Sequence, residues 1–182
     1  MHPIEAANYQ INANGFYYMD TYHPYRSGEN PNWNAFSGKV LDLKNGKQIG
    51  IDHFHDLLLQ KKLYDGDYAI VTVPPSDPAK FATHGTNLLV NTLFERCIIK
   101  KIINGHDFLV RHTKVTKSVS GNRSIEKHLG SIHINDKKQV NGKTVLLIDD
   151  VTTTGNSLTA CAQILTEAGC KKVISLALAQ TA

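Results

Sequence analysis

From about residue 67 onward, apolar and polar positions follow two alternating rhythms. Short, strand-length apolar runs are followed by longer stretches with helical spacing. DYAIVTV (67–73) is a β-branched run halted by Pro74-Pro75, and THGTNLLVNTLFERCIIKKI (83–102) has the length and period of a helix. HDFLVRHT (106–113) reads as a strand and TVLLID (144–149) as a stronger one. NSLTACAQILTEAG (156–169) is an amphipathic helix closed by a glycine, and KVISLALAQ (172–180) is a final strand. This alternation predicts an α/β fold with a doubly wound, mainly parallel sheet that binds ligands at the carboxyl ends of its strands.

The first third of the chain has a different pattern. FYYMDTYHPY (16–25) predicts an aromatic-rich strand, and SGENPNW (27–33) a loop. GKVLDLKNGKQIGID (38–52) predicts two short strands around an Asn45-Gly46 turn. Asp52 is then expected to cap a helix carrying Phe54, Leu57, Leu58 and Leu63. Tyr17, Tyr18, Tyr22, Tyr25 and Trp33 are expected to pack against the core, with a small hood over a ligand site as the alternative. No repeat or Pro/Gly/Ser linker divides the chain, so one domain over 1–182 is expected, with N-terminal elements over about 1–64 and a core over about 65–182.

Composition narrows the classes. With 41% hydrophobic and 20% charged residues in 182, the chain has the makings of one sizeable core. No apolar stretch has the length of a membrane span and the N-terminus does not read as a leader, so a soluble, cytoplasmic protein is expected. Three cysteines (Cys97, Cys161, Cys170) lack metal-site spacing and read as reduced thiols. The net charge of +4 is concentrated: residues 100–143 hold ten Lys or Arg against three Asp or Glu, which suits a phosphorylated metabolite or a nucleic acid.

The chemistry converges on TVLLIDDVTTTGNSL (144–158). Where a parallel strand turns into a helix, the first helical amides lack intrahelical partners and attract an anion. Thr152, Thr153, Thr154 and Ser157 add hydroxyls, and Gly155 permits close backbone approach. Asp149 and Asp150 would repel a bare phosphate, so they call for sugar hydroxyls, a divalent cation, or both. A phosphorylated sugar suits the whole set. A Walker reading of Gly142-Lys143-Thr144 fails because Lys137 stands at the earlier glycine position and the segment leads into a strand. His53-Phe54-His55-Asp56 lacks the next histidine of a binuclear metal motif, having Leu57 there, and reads as a helix start with surface histidines.

VLLIDDVTTTGNS resembles the 5-phosphoribosyl 1-pyrophosphate (PRPP) signature of type I phosphoribosyltransferases, with the order of elements extending the likeness over roughly 65–180. The resemblance implies a type I phosphoribosyltransferase fold with a small hood-like N-terminal region. It also implies phosphoribosyl transfer from Mg-PRPP to a nitrogenous base, with Mg2+ as cofactor and Asp149 and Asp150 on the ribose hydroxyls, directly or indirectly at the metal. Thr152, Thr153, Thr154, Gly155, Asn156 and Ser157 would hold the 5-phosphate. Pro75, Ser76, Asp77 and Lys80 would line the pyrophosphate loop.

LVRHTKVTKSVSGNRSIEKHLGSIHI (109–134) resembles a segment of ComF-like members through Arg111, Thr116 and Arg123, and HGTN (84–87) resembles their Arg-Gly-Phe-Asn, with His84 and Thr86 as departures. The N-terminal cysteine cluster of that subgroup is missing. The basic segment suits a loop that closes over PRPP, with Arg111, Lys114, Lys117 and Arg123 neutralising the leaving pyrophosphate, and Arg111 and Lys114 joining the acids as catalytic candidates. Thr153 stands where 6-oxopurine enzymes carry an aspartate, which argues against hypoxanthine and guanine. The family also implies an alternative, a PRPP-sensing or nucleic-acid-handling protein, and a homodimer is expected from relatives.

Overall fold

The computed structural model describes residues 9–61, 67–96, 101–115 and 125–182. Among these residues eight strands form two sheets: β1 (Gln10–Ile11), β2 (Tyr17–Tyr22), β3 (Ala69–Thr72), β4 (Ile103–Gly105), β5 (Leu109–Arg111), β6 (Ile132–Ile134), β7 (Thr144–Thr152) and β8 (Lys172–Thr181). The main sheet has the order β1-β2-β8-β7-β3-β4 and is parallel throughout except for the β1/β2 hairpin. The expected α/β class with a mainly parallel sheet is therefore what the chain adopts.

Both faces of the sheet are covered because its central strands are apolar on both sides. Ile70, Leu146, Ile148 and Leu176 meet α1 (Ala35–Lys44), α2 (Gln48–Gln60) and α3 (Gly85–Arg96) through Val40, Leu43, Phe54, Leu58, Leu89 and Leu93. On the opposite face, Val71, Val145, Leu147 and Ala177 meet Leu158, Cys161 and Leu165 of α5 (Asn156–Glu167) and the antiparallel β5/β6 hairpin. A short α4 (Ile125–Leu129) precedes β6.

The hairpin expected over 38–52 is instead two helices. Phe36, Val40 and Leu43 have helical spacing, and Asn34 caps the start by accepting the Ser37 N–H at 2.8 Å. Asn45-Gly46 ends α1. Gly46 sits at φ +66°, its N–H donates to Leu43 O and the Lys47 N–H to Asp42 O, the paired bonds of a Schellman motif. Asp52 lies inside α2, where it accepts from Arg96 at 2.8 Å. His53 and His55 are likewise within α2, and His55 is buried at 6% exposure, not on the surface.

Other boundaries also move. The helix expected over 83–102 spans Gly85–Arg96; residues 97–100, with Cys97, lie outside the described set, and β4 follows. The strand expected over 106–113 is confined to Leu109–Arg111 and pairs with β6 away from the main sheet. Tyr17 and Tyr22 pack against the core as expected, and Tyr25 meets Trp33 edge to face at 5.0 Å. Leu63 lies outside the described residues.

Candidate functional site at the sheet switch point

The connections out of β3 and β7 leave these neighbouring strands on opposite faces, through α3 and α5 respectively. That makes the β3/β7 boundary the topological switch point, where an open α/β sheet forms a crevice beyond its strand ends. The two loops at this crevice are 73–84 and 153–155, the same two that the sequence picks out for pyrophosphate and phosphate.

Asp149 and Asp150 end the apolar run of β7. The Asp149 carboxylate accepts the Asp150 N–H at 2.9 Å, and Asp150 accepts the Val151 N–H at 2.5 Å. Burial, then the neighbouring Asp150, push the Asp149 carboxyl up to about 8, with Lys44 and Arg111 opposing. Asp149 keeps some exposed surface as a residue, yet its carboxyl sits in a desolvated, acid-crowded position. Lys44, from the last turn of α1, reaches Asp150 at 3.7 Å. His84, at the start of α3, senses Asp150 as well, but burial dominates and holds its imidazole below the ordinary value.

The turn after β7 distributes its hydroxyls unevenly. Thr152 is buried at 3% exposure, and its hydroxyl has no partner among the described residues. Thr153 and Thr154 are exposed, with Thr153 Oγ1 2.8 Å from Thr181 Oγ1. Gly155 sits at φ +79° as the N-cap of α5 and, as a glycine, brings no side chain to cap that helix. Asn156 and Ser157 open its first turn and are partly buried. An uncapped helix start beside exposed threonine hydroxyls offers donors to an anion.

Across the crevice, the loop after β3 is joined to the strand that carries the basic candidates. Arg111 is buried at 3% exposure; its Nε donates to Pro75 O at 2.8 Å, and its other nitrogens meet Ser131 Oγ and His128 Nδ1. The Val115 N–H donates to Ser76 O at 2.9 Å, and Lys114 Nζ lies 2.5 Å from Asp77 Oδ2. The Lys114 contact, then the Ala79 N–H, hold the Asp77 carboxyl below the usual range. Asp77 also caps the 3-10 turn Pro78–Thr83, which carries the exposed Lys80. Asn87 steadies this loop by donating to Phe81 O at 3.0 Å, while its oxygen lies 2.7 Å from the Thr72 hydroxyl.

Pro75, Ser76, Asp77, Arg111 and Lys114 are thus brought together, and the two acids meet the 152–157 turn at the end of β7. Thr116, Lys117 and Arg123 lie outside the described residues. Sequence reasoning missed Lys44 because the Asn45-Gly46 pair disguised its helix. It also missed the Asn12–Phe16 turn, whose Asn14-Gly15 pair was the available signal.

Two loops meeting at the switch point of a doubly wound sheet, one with paired acids and an uncapped helix start, define a candidate phosphosugar site. Residues 107–182 match the family model described as the phosphoribosyl transferase domain. No curated protein sequence matches the chain.

Several solved structures are similar in part. Phosphoribosylpyrophosphate synthetase from Mycobacterium smegmatis shares 17% identity over 72% of this chain and 33% of its own, with a TM-score of 0.40. A hypoxanthine phosphoribosyltransferase from Staphylococcus aureus shares 17% over 78% and 64%, with a TM-score of 0.41. That from Trypanosoma cruzi shares 12% over 80% and 66%, with a TM-score of 0.37. The chain therefore spans a third of the first of these proteins and just under two thirds of the next two.

Proposed function

We propose that the protein transfers 5-phosphoribose from PRPP to a nitrogen nucleophile and releases pyrophosphate. The observation that supports this most strongly is the juxtaposition at one crevice of the Asp149-Asp150 pair, the uncapped start of α5 and the Pro75–Asp77 loop tied to Arg111 and Lys114. In this reading residues 65–182 are the PRPP-binding core and the N-terminal elements are the hood-like part.

Asp149 and Asp150 hold the ribose 2- and 3-hydroxyls, and the 153–157 turn holds the 5-phosphate, so the anomeric carbon faces the 75–80 loop. The bond from that carbon to the pyrophosphate oxygen breaks with its electron pair leaving on pyrophosphate, and the acceptor nitrogen bonds to the opposite face and loses its proton. Positive charge develops on the ribose ring, where the acid pair opposes it favourably. Lys114 is paired with Asp77 and lies beside this loop, so it can shift its charge to the leaving group. Arg111 acts from below by holding Pro75 and by lowering the cost of charge on Asp149.

The acid pair fits a magnesium ion by chemistry. Its hard carboxylate oxygens suit Mg2+, and a dipositive neighbour would relieve the crowding that raises Asp149. When bound, the ion would neutralise pyrophosphate. Among the described residues no group of three or more His, Cys, Asp or Glu could hold a metal ion, so substrate oxygens would complete its shell.

Thr153 presents a hydroxyl already engaged with Thr181 and brings no carboxylate to an acceptor base. Adenine, orotate and uracil therefore come before hypoxanthine in a screen. The test is release of pyrophosphate from Mg-PRPP with each base in turn. Turnover with at least one base is expected, reduced about 100-fold or more in Asp150→Asn with its melting temperature retained, the scale of losing transition-state charge stabilisation. Equal turnover in the variant would remove the role of Asp150. PRPP binding without release on any base would favour the PRPP-sensing alternative.

A further inference from the structure

Resting on the reading of the 153–157 turn as the 5-phosphate site, we propose that the Asn12–Phe16 turn is a latch that presets this site, with Asn14 as its positioning residue. The turn is internally fixed. The Gly15 N–H donates to Asn12 O at 2.9 Å, the Asn12 N–H to Phe16 O at 3.0 Å, and the Asn12 side-chain oxygen accepts from the N–H groups of Asn14 and Phe16, both at 3.0 Å. In the β1/β2 ladder Ile11 lies opposite Tyr17, which closes the hairpin around this turn.

From there it grips the phosphate turn in three ways. Asn14 Nδ2 donates to Thr154 O at 3.1 Å. Asn12 Nδ2 donates to Gln180 Oε1 at 2.9 Å, and Gln180 Nε2 in turn reaches Thr153 O at 3.4 Å. The Phe16 ring lies against Gly155 so closely that a Cβ there would stand 2.5 Å from Phe16 Cε2 and 3.1 Å from Asn14 Nδ2.

The chemistry of anion binding gives these contacts a purpose. A loop that binds phosphate must point N–H groups inward and turn carbonyl oxygens away, because an inward carbonyl repels the anion. The carbonyls of Thr153 and Thr154 are the two held outward, each by an amide side chain from outside the loop. An untethered loop would lose conformational freedom when the phosphate arrives, and prior fixing removes part of that cost from binding. The sequence separation of 140 between Asn14 and Thr154 places this device outside the signature itself.

The test is titration of ribose 5-phosphate into the full chain as wild type, Asn14→Ala and Asn14→Asp. Melting temperature and hydrogen exchange of the amides of residues 153–157 are measured alongside. Asn14→Ala is expected to weaken ribose 5-phosphate about five- to tenfold, the scale of one hydrogen bond plus lost preorganisation. Asn14→Asp, which loses the donor and adds a charge near the phosphate, weakens it further. Exchange at 153–157 rises in both variants while the melting temperature holds.

Wild-type binding with unchanged affinity and exchange in both variants would overturn the latch alone. So would affinity falling only in step with the melting temperature. Failure of the wild type to bind ribose 5-phosphate would overturn the phosphate site and the latch together.

Discussion

Asp149→Asn is expected to stabilise the ligand-free protein at alkaline pH while weakening its hold on PRPP. In the folded chain the Asp149 carboxyl is raised to about 8 by desolvation and by Asp150, against the ordinary carboxylate value of 3.8. Below the lower value both folded and unfolded states are protonated and no penalty arises. As pH climbs, the unfolded chain releases the proton first, so wild-type stability falls through that interval and levels off above the folded value. The slope is at most about 1.4 kcal/mol per pH unit.

An asparagine cannot ionise, and its oxygen can still accept the Asp150 N–H. The variant's melting temperature should therefore exceed that of the wild type at pH 8, and the gap should shrink toward pH 4. Its affinity for Mg-PRPP should fall at least about tenfold, since a charged acceptor to ribose hydroxyls is replaced by a neutral one. Thermal melts from pH 4 to pH 9 and one titration check both signs. A variant less stable than the wild type at pH 8 would show that the carboxylate is satisfied in the fold, not strained by it.

Gly155→Ala should have the larger structural effect. Two costs combine at this residue: a left-handed φ of +79° that disfavours any Cβ, and a Phe16 ring atom only 2.5 Å from where that Cβ would stand. The backbone term alone is about 1–2 kcal/mol. Relief of the clash requires moving Phe16 and Asn14, which releases the latch. A fall of several degrees in melting temperature and a loss of ribose 5-phosphate binding greater than that of Asn14→Ala are expected. Gly142→Ala is the control, with φ +72° but no atom within 4 Å of the added carbon, so it bears the conformational cost alone. Equal effects at the two glycines would mean that the Phe16 contact yields without consequence.

How far the fold was legible depended on whether an element's signals were local. Strand β7, helix α5 and strand β8 were readable because each combines an uninterrupted apolar pattern with a turn signal at its end. The site acids and the threonine turn followed from their place between two of those elements. Asn-Gly pairs were treacherous, since the same dipeptide serves two backbone uses. At Asn14-Gly15 it closes a β-hairpin, whereas at Asn45-Gly46 the glycine supplies the left-handed end of α1. The apolar spacing of Phe36, Val40 and Leu43 decides the second case, and it outweighs the hairpin signal because the buried Val40 and Leu43, with the partly buried Phe36, anchor the helix to the sheet face.

Some features were beyond local reading altogether. Lys44 meets Asp150, and Asn14 meets Thr154, across more than a hundred residues. Nothing near either residue announces its partner. Arg111, expected among the basic candidates for the leaving group, is buried and bonded to Pro75, Ser131 and His128. Its bond to Pro75 O ties the loop after β3 to β5, a contact that charge alone does not announce. Among the described residues no helix is long and apolar enough to cross a membrane.

The most direct test of the central claim is calorimetric titration of Mg-PRPP into the wild type and into Thr154→Ala. Thr154 is exposed at the start of the proposed cradle, and its loss leaves the apolar core untouched. One-to-one binding in the micromolar range, weakened about tenfold or more in Thr154→Ala at unchanged melting temperature, is the predicted result. Absence of heat with the wild type, or equal affinity in the two proteins, would contradict a PRPP site at the end of β7.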